Sequence, residues 1–315
     1  MQRDLHTIEK KLLAIPGITQ LTFGDEQILN AAFTGPSPRY THSFLYLLRA
    51  SHGQDGSLGL KYTTQNVTAI IGYRNNIVYI TPLTDKEQGK GLEILCNEIM
   101  QKTGCRIFLK KVLLDQFPKI ALTKPNKVTD TELEDAACSE TIINLTKLFI
   151  TPEGTVNRKA KRFFRKVKRF KKLNIHLDIS EDLTQIPLNK VENFLKKDER
   201  KFASFHPIVT YLYHHGPDNR YEITIFLYKG LVQALYIIEK FSPTEAGLYC
   251  GVTAKDKPGI TEWMDHHVFQ EMFFEGIKTV YLGGSENPGI NYFVKKLLPE
   301  KPPYSVDTFE YQTTK

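Results

Sequence analysis

Ten cations crowd into the stretch from Arg158 to Lys172: Arg158, Lys159, Lys161, Arg162, Arg165, Lys166, Lys168, Arg169, Lys171 and Lys172, with no acid from Gly154 to Leu177. Like charges at this density repel one another, a cost usually tolerated for an anionic partner. Val156, Ala160, Phe163, Val167 and Phe170 recur at spacings of 4, 3, 4 and 3, which marks one apolar helical face and leaves the cations on the others. The spacing predicts a helix over 157–172, roughly 24 Å long at 1.5 Å per residue, anchored by that face. Such a rod can follow a phosphate backbone, and its arginines can stack on unpaired bases. An acidic membrane surface would attract the same charge, so peripheral membrane contact stays open.

The second pattern is Lys86-Glu87-Gln88-Gly89-Lys90-Gly91. Glycines ahead of a helix let backbone N–H groups converge on a phosphate. Short Gly-x-Gly stretches also serve as plain loops and caps, and both readings remain. The corresponding part of the second half, Lys255-Asp256-Lys257-Pro258-Gly259, lacks the pattern. Other chemistry is poorly supplied. Cys96, Cys105, Cys138 and Cys250 form no CxxC pair, and four thiols make no disulfide scaffold, so reduced cysteines are expected. His214-His215 and His266-His267 are adjacent pairs, which on a helix do not face each other, and no metal site is expected. A GxSxG elbow is missing, against a serine hydrolase. His206 before Pro207 reads as a helix start, and Trp263, Met264, His267 and Phe274 as a core-facing helical face.

These residues must be held by regular elements. Runs at 58–63, 67–73 and 77–81 are β-branched or aromatic, with Arg74-Asn75-Asn76 as a hairpin turn and Pro82 ending the third strand. Leu92, Leu95, Cys96, Ile99 and Met100 fall at helical spacing before Gly104, and 106–109 reads as a further strand. The order recurs: strands at 220–227, 231–239 and 247–252, a helix over 261–275 ended by Gly276, and a strand at 278–282. An α/β fold duplicated in tandem follows, each copy with a mixed sheet. The expected division is a domain over 1–125, a connection over 126–150 and a second domain over 151–315 that opens with the basic helix.

Apolar residues at 41% and charged residues at 24% exclude a fibrous or wholly disordered chain. Lys and Arg number 42 against 35 acids; without the ten cations of 158–172, 32 stand against 35, so the net charge of +7 belongs to one segment. The stretch 1–11 has no apolar region of a secretory signal, and 223–238, broken by Lys229, Gly230 and Gln233, is too short to span a bilayer. A cytoplasmic protein without a transmembrane segment is the expectation.

Tyr79-Ile80-Thr81-Pro82-Leu83 before the first-half helix, Gly104 to Leu109 after it, Asn157-Arg158-Lys159-Ala160-Lys161-Arg162, Tyr281-Leu282-Gly283-Gly284-Ser285, and Asn287-Pro288-Gly289-Ile290 leading through Phe293 to Pro299 carry a resemblance. Their order over most of the chain resembles tandem GNAT-fold aminoacyltransferases: the Fem-type transferases and the C-terminal domain of phosphatidylglycerol lysyltransferases. The resemblance implies transfer of an amino acid from aminoacyl-tRNA, as co-substrate, to an amine or hydroxyl of a lipid headgroup, peptide or small natural product, with no further cofactor. It places tRNA on Arg158, Lys159, Arg162, Arg165, Lys166 and Arg169. It puts Glu239, Tyr249 and the Ser285-Glu286-Asn287 turn around a cleft, with backbone N–H groups near Tyr249-Cys250-Gly251 as oxyanion donors. Relatives carry a Phe-Lys pair before a proline; here Phe293 is followed by Val294 and only then by Lys295, the nearest candidate for that lysine's role. GNAT acetyltransferases also use an Arg/Gln-x-x-Gly-x-Gly turn for coenzyme A, so an acyl-CoA N-acyltransferase binding through Lys86, Gly89 and Gly91 is the alternative. A non-catalytic RNA-binding protein on the same scaffold is the third reading.

Overall fold

The computed structural model describes residues 5–32, 43–51, 59–74, 76–86, 89–112, 122–123, 140–150, 160–216, 219–254, 257–282, 294–301 and 307–312. The chain divides into two units, 1–139 together with 304–315, and 140–303. In chain order the first holds α1 (Leu5–Leu13), β1 (Ile18–Gln20), α2 (Glu26–Ala32), α3 (Phe44–Ser51), β2 (Leu60–Thr63), β3 (Val67–Arg74), β4 (Ile77–Asp85), α4 (Lys90–Thr103), β5 (Arg106–Val112) and β6 (Leu122–Thr123). The second holds β7 (Thr141–Asn144), α5 (Leu145–Phe149), α6 (Lys161–Lys171), β8 (Asp178–Ser180), α7 (Leu188–Leu195), α8 (Glu199–His215), β9 (Tyr221–Tyr228), β10 (Leu231–Ser242), β11 (Glu245–Thr253), α9 (Ile260–Phe274), β12 (Thr279–Leu282) and β13 (Pro299–Glu300). The last strand, β14 (Asp307–Tyr311), returns to the first unit.

The first sheet runs β1-β2-β3-β4-β5-β14-β6 and the second β13-β7-β12-β11-β10-β9-β8. Both are antiparallel apart from one central parallel pair, β4 with β5 over Ile77–Ile80 and β11 with β12 over Glu245–Leu248. The expected repeat of strand, strand, strand, helix, strand is therefore present in each unit, with α4 and α9 as the crossover helices. Two-residue turns set the registers. Arg74 pairs with Ile77 across Asn75-Asn76, and Tyr228 with Leu231 across Lys229-Gly230, whose φ values of 51° and 73° suit the mirror-image turn that twisted hairpins prefer.

Several expectations shift. Pro82 does not end its strand; β4 continues to Asp85. Pro82 lies beyond the last residue paired with β5 and beside a bulge at Leu83, where the missing N–H breaks little of the ladder. Pro207 and His206 lie inside α8, which is capped by Asp198, whose carboxylate accepts the Lys201 N–H. The division of the chain also differs from 1–125, 126–150 and 151–315: β7 lies in the second sheet, although 126–150 read as a connection, and β14 pairs with β5 and β6 of the first. Phe309 and Tyr311, each 3% exposed, complete the first core with Ile8 and Leu12 of α1 and Leu92, Leu95, Cys96 and Ile99 of α4. In the second core, α6 and α9 pack on the sheet through Phe163, Val167 and Phe170 on one side and Ile260, Met264, Val268 and Met272 on the other. Phe274 is 69% exposed, unlike the rest of the face assigned to it.

Candidate active site and nucleic-acid interface

In the second unit the sheet opens where β11 outruns β12. Their parallel register ends at Leu248 with Leu282, while β11 continues to Thr253. At the parting Tyr249 is bulged out of the β10 ladder, since Ile237 pairs with Cys250 and Ile238 with Leu248. Bulges re-aim backbone groups next to sites, and β11 continues for five residues past its last described pair with β12. The aromatic ring of Tyr249, by contrast, is 2% exposed and folds over Gly247 beside Phe241, its hydroxyl 3.0 Å from where a Gly247 Cβ would stand. Tyr249 can therefore contribute backbone to a cleft but not its hydroxyl.

The other candidates separate in space. Glu239 is fully buried and bound by Arg220, with Nε 2.8 Å from Oε1 and the second contact through Nη2. Because β10 runs antiparallel to β11, Glu239 faces Gly247 and lies at the closed end of the sheet, away from the splay. It serves as an ion-pair partner within the sheet. Lys295 is exposed, and its neighbour Lys296 points inward to Glu262. Glu286 and Asn287, like Arg158 and Lys159, lie outside the described residues.

α6 spans Lys161–Lys171, the described part of the helix expected over 157–172, and lies against the N-terminal half of α9. Phe170 packs on Trp263 at 5.3 Å between ring centroids, and Phe163 and Phe164 on His266 at 6.3 and 5.6 Å. Burying Phe163, Val167 and Phe170 is worth roughly 1.5–3 kcal/mol each, against a few tenths per repulsive cation pair, so packing holds the helix despite its charge. The backbone approach is close: a Cβ on Gly259, whose φ is 82°, would stand 2.6 Å from the Lys166 carbonyl oxygen. Lys161, Arg162, Arg165, Lys168, Arg169, Lys171 and Lys172 face solvent. Lys166, its side chain 43% exposed, donates its ammonium to Glu262 Oε1 at 2.6 Å and so is tied to α9.

Beneath α6 lies a polar cluster that sequence reasoning missed. Glu262 receives Lys166 and, at 3.4 Å, Lys296. Burial opposes its charge, but the hydrogen bond from Lys166 and the two ammonium charges prevail and hold the carboxyl below its ordinary range. One turn on, the Tyr236 hydroxyl donates to Asp265 at 2.7 Å, while Asp265 Oδ2 has no hydrogen-bond partner among the described residues. Burial above all, with Glu262 adding, pushes the Asp265 carboxyl up to about 7 against the pull of Tyr236 and Lys296. The available signal was two acids three apart on a helix face otherwise apolar at Val268, Phe269 and Met272. The His266 imidazole, set among Phe149, Phe163 and Phe164, is pushed down to about 4 by burial and by Lys171.

In the first unit the Lys86–Gly91 turn has a local explanation. Asp85 Oδ2 accepts the N–H groups of Gly89 at 3.1 Å and Leu92 at 2.9 Å, the donors a coenzyme A pyrophosphate would need at the start of α4. The Lys86 N–H donates to the Asn66 carbonyl at 2.9 Å. Gly89 has φ 109°, and a Cβ on Gly91 would stand 2.2 Å from Val67 Cγ2. Asp85 thus caps the start of α4 through the Gly89 and Leu92 N–H groups, and Gly91 packs closely against Val67. At the matching strand end of the second unit stands Thr253, hydrogen-bonded to Thr261 at 2.9 Å.

A cavity of about 560 Å³ in the second unit lies at the C-terminal end of α9, lined by Glu181, Asp182, Glu222, Glu271 and Glu275 among others, far along the helix from the splay. Lys240 bridges Glu222 and Glu275. Among the described residues, no three of His, Cys, Asp and Glu gather as metal ligands, and no helix is long and apolar enough to cross a membrane.

No protein-family model matches the sequence, and no curated protein does. Solved structures do resemble it. A conserved protein of unknown function from Bacteroides thetaiotaomicron aligns at a TM-score of 0.65 with 12% identity, covering 95% of this chain and all of its own. The C-terminal domain of a protein described as a lysylphosphatidylglycerol synthetase, from Agrobacterium fabrum, aligns at 0.58 with 13% identity and 93% of each chain covered. FemX aligns at 0.56 with 10% identity, covering 94% of this chain and 97% of its own. The likeness is one of fold: an α/β chain whose two units repeat a mixed sheet with one parallel pair and a crossover helix.

Proposed function

We propose that the protein is an aminoacyltransferase that takes an amino acid from aminoacyl-tRNA and passes it to an amine or hydroxyl acceptor, with the tRNA lying along α6. The observation that carries this reading is the position of the cations: a helix whose outer face is basic is closed by its own backbone onto Gly259, at the start of α9 and beside the splay of β11. Two things support it further. In the first unit the Gly89 and Leu92 N–H groups already donate to Asp85, which supports a donor other than an acyl-CoA. The fold is shared with FemX and with the lysylphosphatidylglycerol synthetase domain.

The chemistry asks little of side chains. The acceptor nitrogen or oxygen attacks the ester carbonyl, the carbonyl becomes a tetrahedral oxyanion, the bond to the ribose oxygen breaks, and the acceptor's proton ends on that ribose oxygen. The β11 N–H groups beyond Leu248 are candidates to hold the oxyanion. An alkyl ammonium must first lose its proton, which from a pKa near 10.4 costs about 4–5 kcal/mol at pH 7.

The test is tRNA binding as a function of salt. If about five exposed cations of α6 touch phosphates, log affinity falls with log salt at a slope of about −3.5. Replacing Arg162, Arg165, Lys168 and Arg169 with Ala should abolish binding and leave the fold intact; unchanged binding overturns the proposal. A pool of charged tRNAs with cell extract then separates enzyme from binder, since release of label marks transfer and retention of every label marks a non-catalytic RNA-binding protein.

A further inference from the structure

The basic face of α6 continues past α9 to an aromatic ring. Gly259 is held against the Lys166 carbonyl, and two residues earlier Lys257 accepts the Ile260 N–H at 3.3 Å, so the turn into α9 is fixed to α6. From that turn the Lys257 ammonium reaches over Tyr228, 3.9 Å from its ring centroid, and Lys229 reaches the same ring at 5.4 Å. Tyr228 ends β9 at the two-residue hairpin turn, half-buried against the second core, with Lys229 and Gly230 exposed beyond it. Neither Lys257 nor Lys229 has a carboxylate partner among the described residues. Two ammonium groups are thus held by one tyrosine on the strip that leads from α6.

We infer that Tyr228 is a stacking platform for unpaired nucleotides at the 3′ end of the RNA whose stem lies on α6. This rests on the tRNA reading. An exposed cation on an aromatic face is a weaker contact than a nucleobase on the same face. A base can therefore displace Lys257, whose ammonium is released beside the phosphate that the incoming nucleotide brings, and both changes favour the exchange. The ring needs no particular base, which suits an end sequence shared by many RNAs. An acidic peptide would pair with the lysines but gain nothing from stacking.

The experiment uses the full chain and two transcripts, a tRNA with its unpaired 3′ nucleotides and the same tRNA without them. Tyr228→Leu should weaken the intact transcript roughly five- to hundredfold and leave the trimmed one unchanged, whereas Tyr228→Phe binds both as wild type. Lys257→Gln should make the salt slope for the intact transcript shallower by about 0.7. Circular dichroism of Tyr228→Phe and Tyr228→Leu controls for folding. Equal loss for both transcripts, or no loss for either, overturns the platform. If the α6 variants abolish binding while Tyr228→Leu does nothing, this inference fails and the tRNA reading stands; if wild type binds neither transcript, both fail.

Discussion

The fold shifts the Asp265 carboxyl toward its protonated form. That carboxyl lies between α9 and β10 with one oxygen on Tyr236, and burial first of all raises it to about 7 from an ordinary 3.8. A carboxyl raised in the folded state stabilises the fold fully below its unfolded value and loses that contribution as pH climbs through the folded one. The wild-type protein should therefore lose roughly 2–3 kcal/mol between pH 5 and pH 8 at this position, at 1.36 kcal/mol per unit. Asp265→Asn removes the proton exchange. Urea denaturation at the two pH values should show a smaller difference for the variant, and an identical difference would mean that Asp265 is ionised throughout. Sequence reading did not reach this residue because spacing reports which face of a helix is apolar, not which acid on it meets Tyr236, a partner 29 positions away. The same limit sent attention to Glu239, read as a strand end though β10 runs on to Ser242, while its pairing with Arg220 was not legible.

At the scale of elements, hairpins, crossover helices and the basic helix were all legible, since each is written in local periodicity or in a two-residue turn. What local patterns hide is how closely two elements approach. Gly259 read as part of a degenerate loop; in the structure it is where α6 meets α9, backbone carbonyl against Cα. Gly216, at φ 81° but ψ −178°, has nothing within 4 Å of its would-be Cβ, so backbone conformation alone calls for glycine there. Gly216→Ala should cost only that strain, about 1–3 kcal/mol. Gly259→Ala adds a collision with main chain that no rotamer relieves, so it should cost at least 2–3 kcal/mol more and loosen α6. Denaturation midpoints of the two variants check this, and equal midpoints would show that α6 is free to move away from α9. Gly91, facing Val67 Cγ2 at 2.2 Å, shows the same cause in the first unit: its glycine is a packing requirement, which a phosphate-loop reading of Gly-x-Gly cannot distinguish from sequence.

Across the whole chain, each sheet takes the strand next to its last repeat strand from a segment beyond the repeat. Beside β12 lies β7, which precedes the second repeat, and beside β5 lies β14, which follows it, so the first unit closes only when the chain's last strand has arrived. The duplication was legible because its order repeats; the membership of β7 and β14 was not, because a strand of four or five residues fits any free edge and its partner is fixed only in three dimensions. A consequence follows for the thiols. Cys96 and Cys105 are buried in the first unit and Cys250 in the second. Deleting 304–315 removes Phe309 and Tyr311 from the first core and uncovers the edge of β5, a loss of roughly 3–6 kcal/mol at about 1.5–3 kcal/mol per buried aromatic side chain. Alkylation followed by mass spectrometry should then find Cys96 and Cys105 reactive and Cys250 still protected. Protection of all three would mean that the first unit folds without β14, and exposure of Cys250 along with the others would mean that the two units unfold as one.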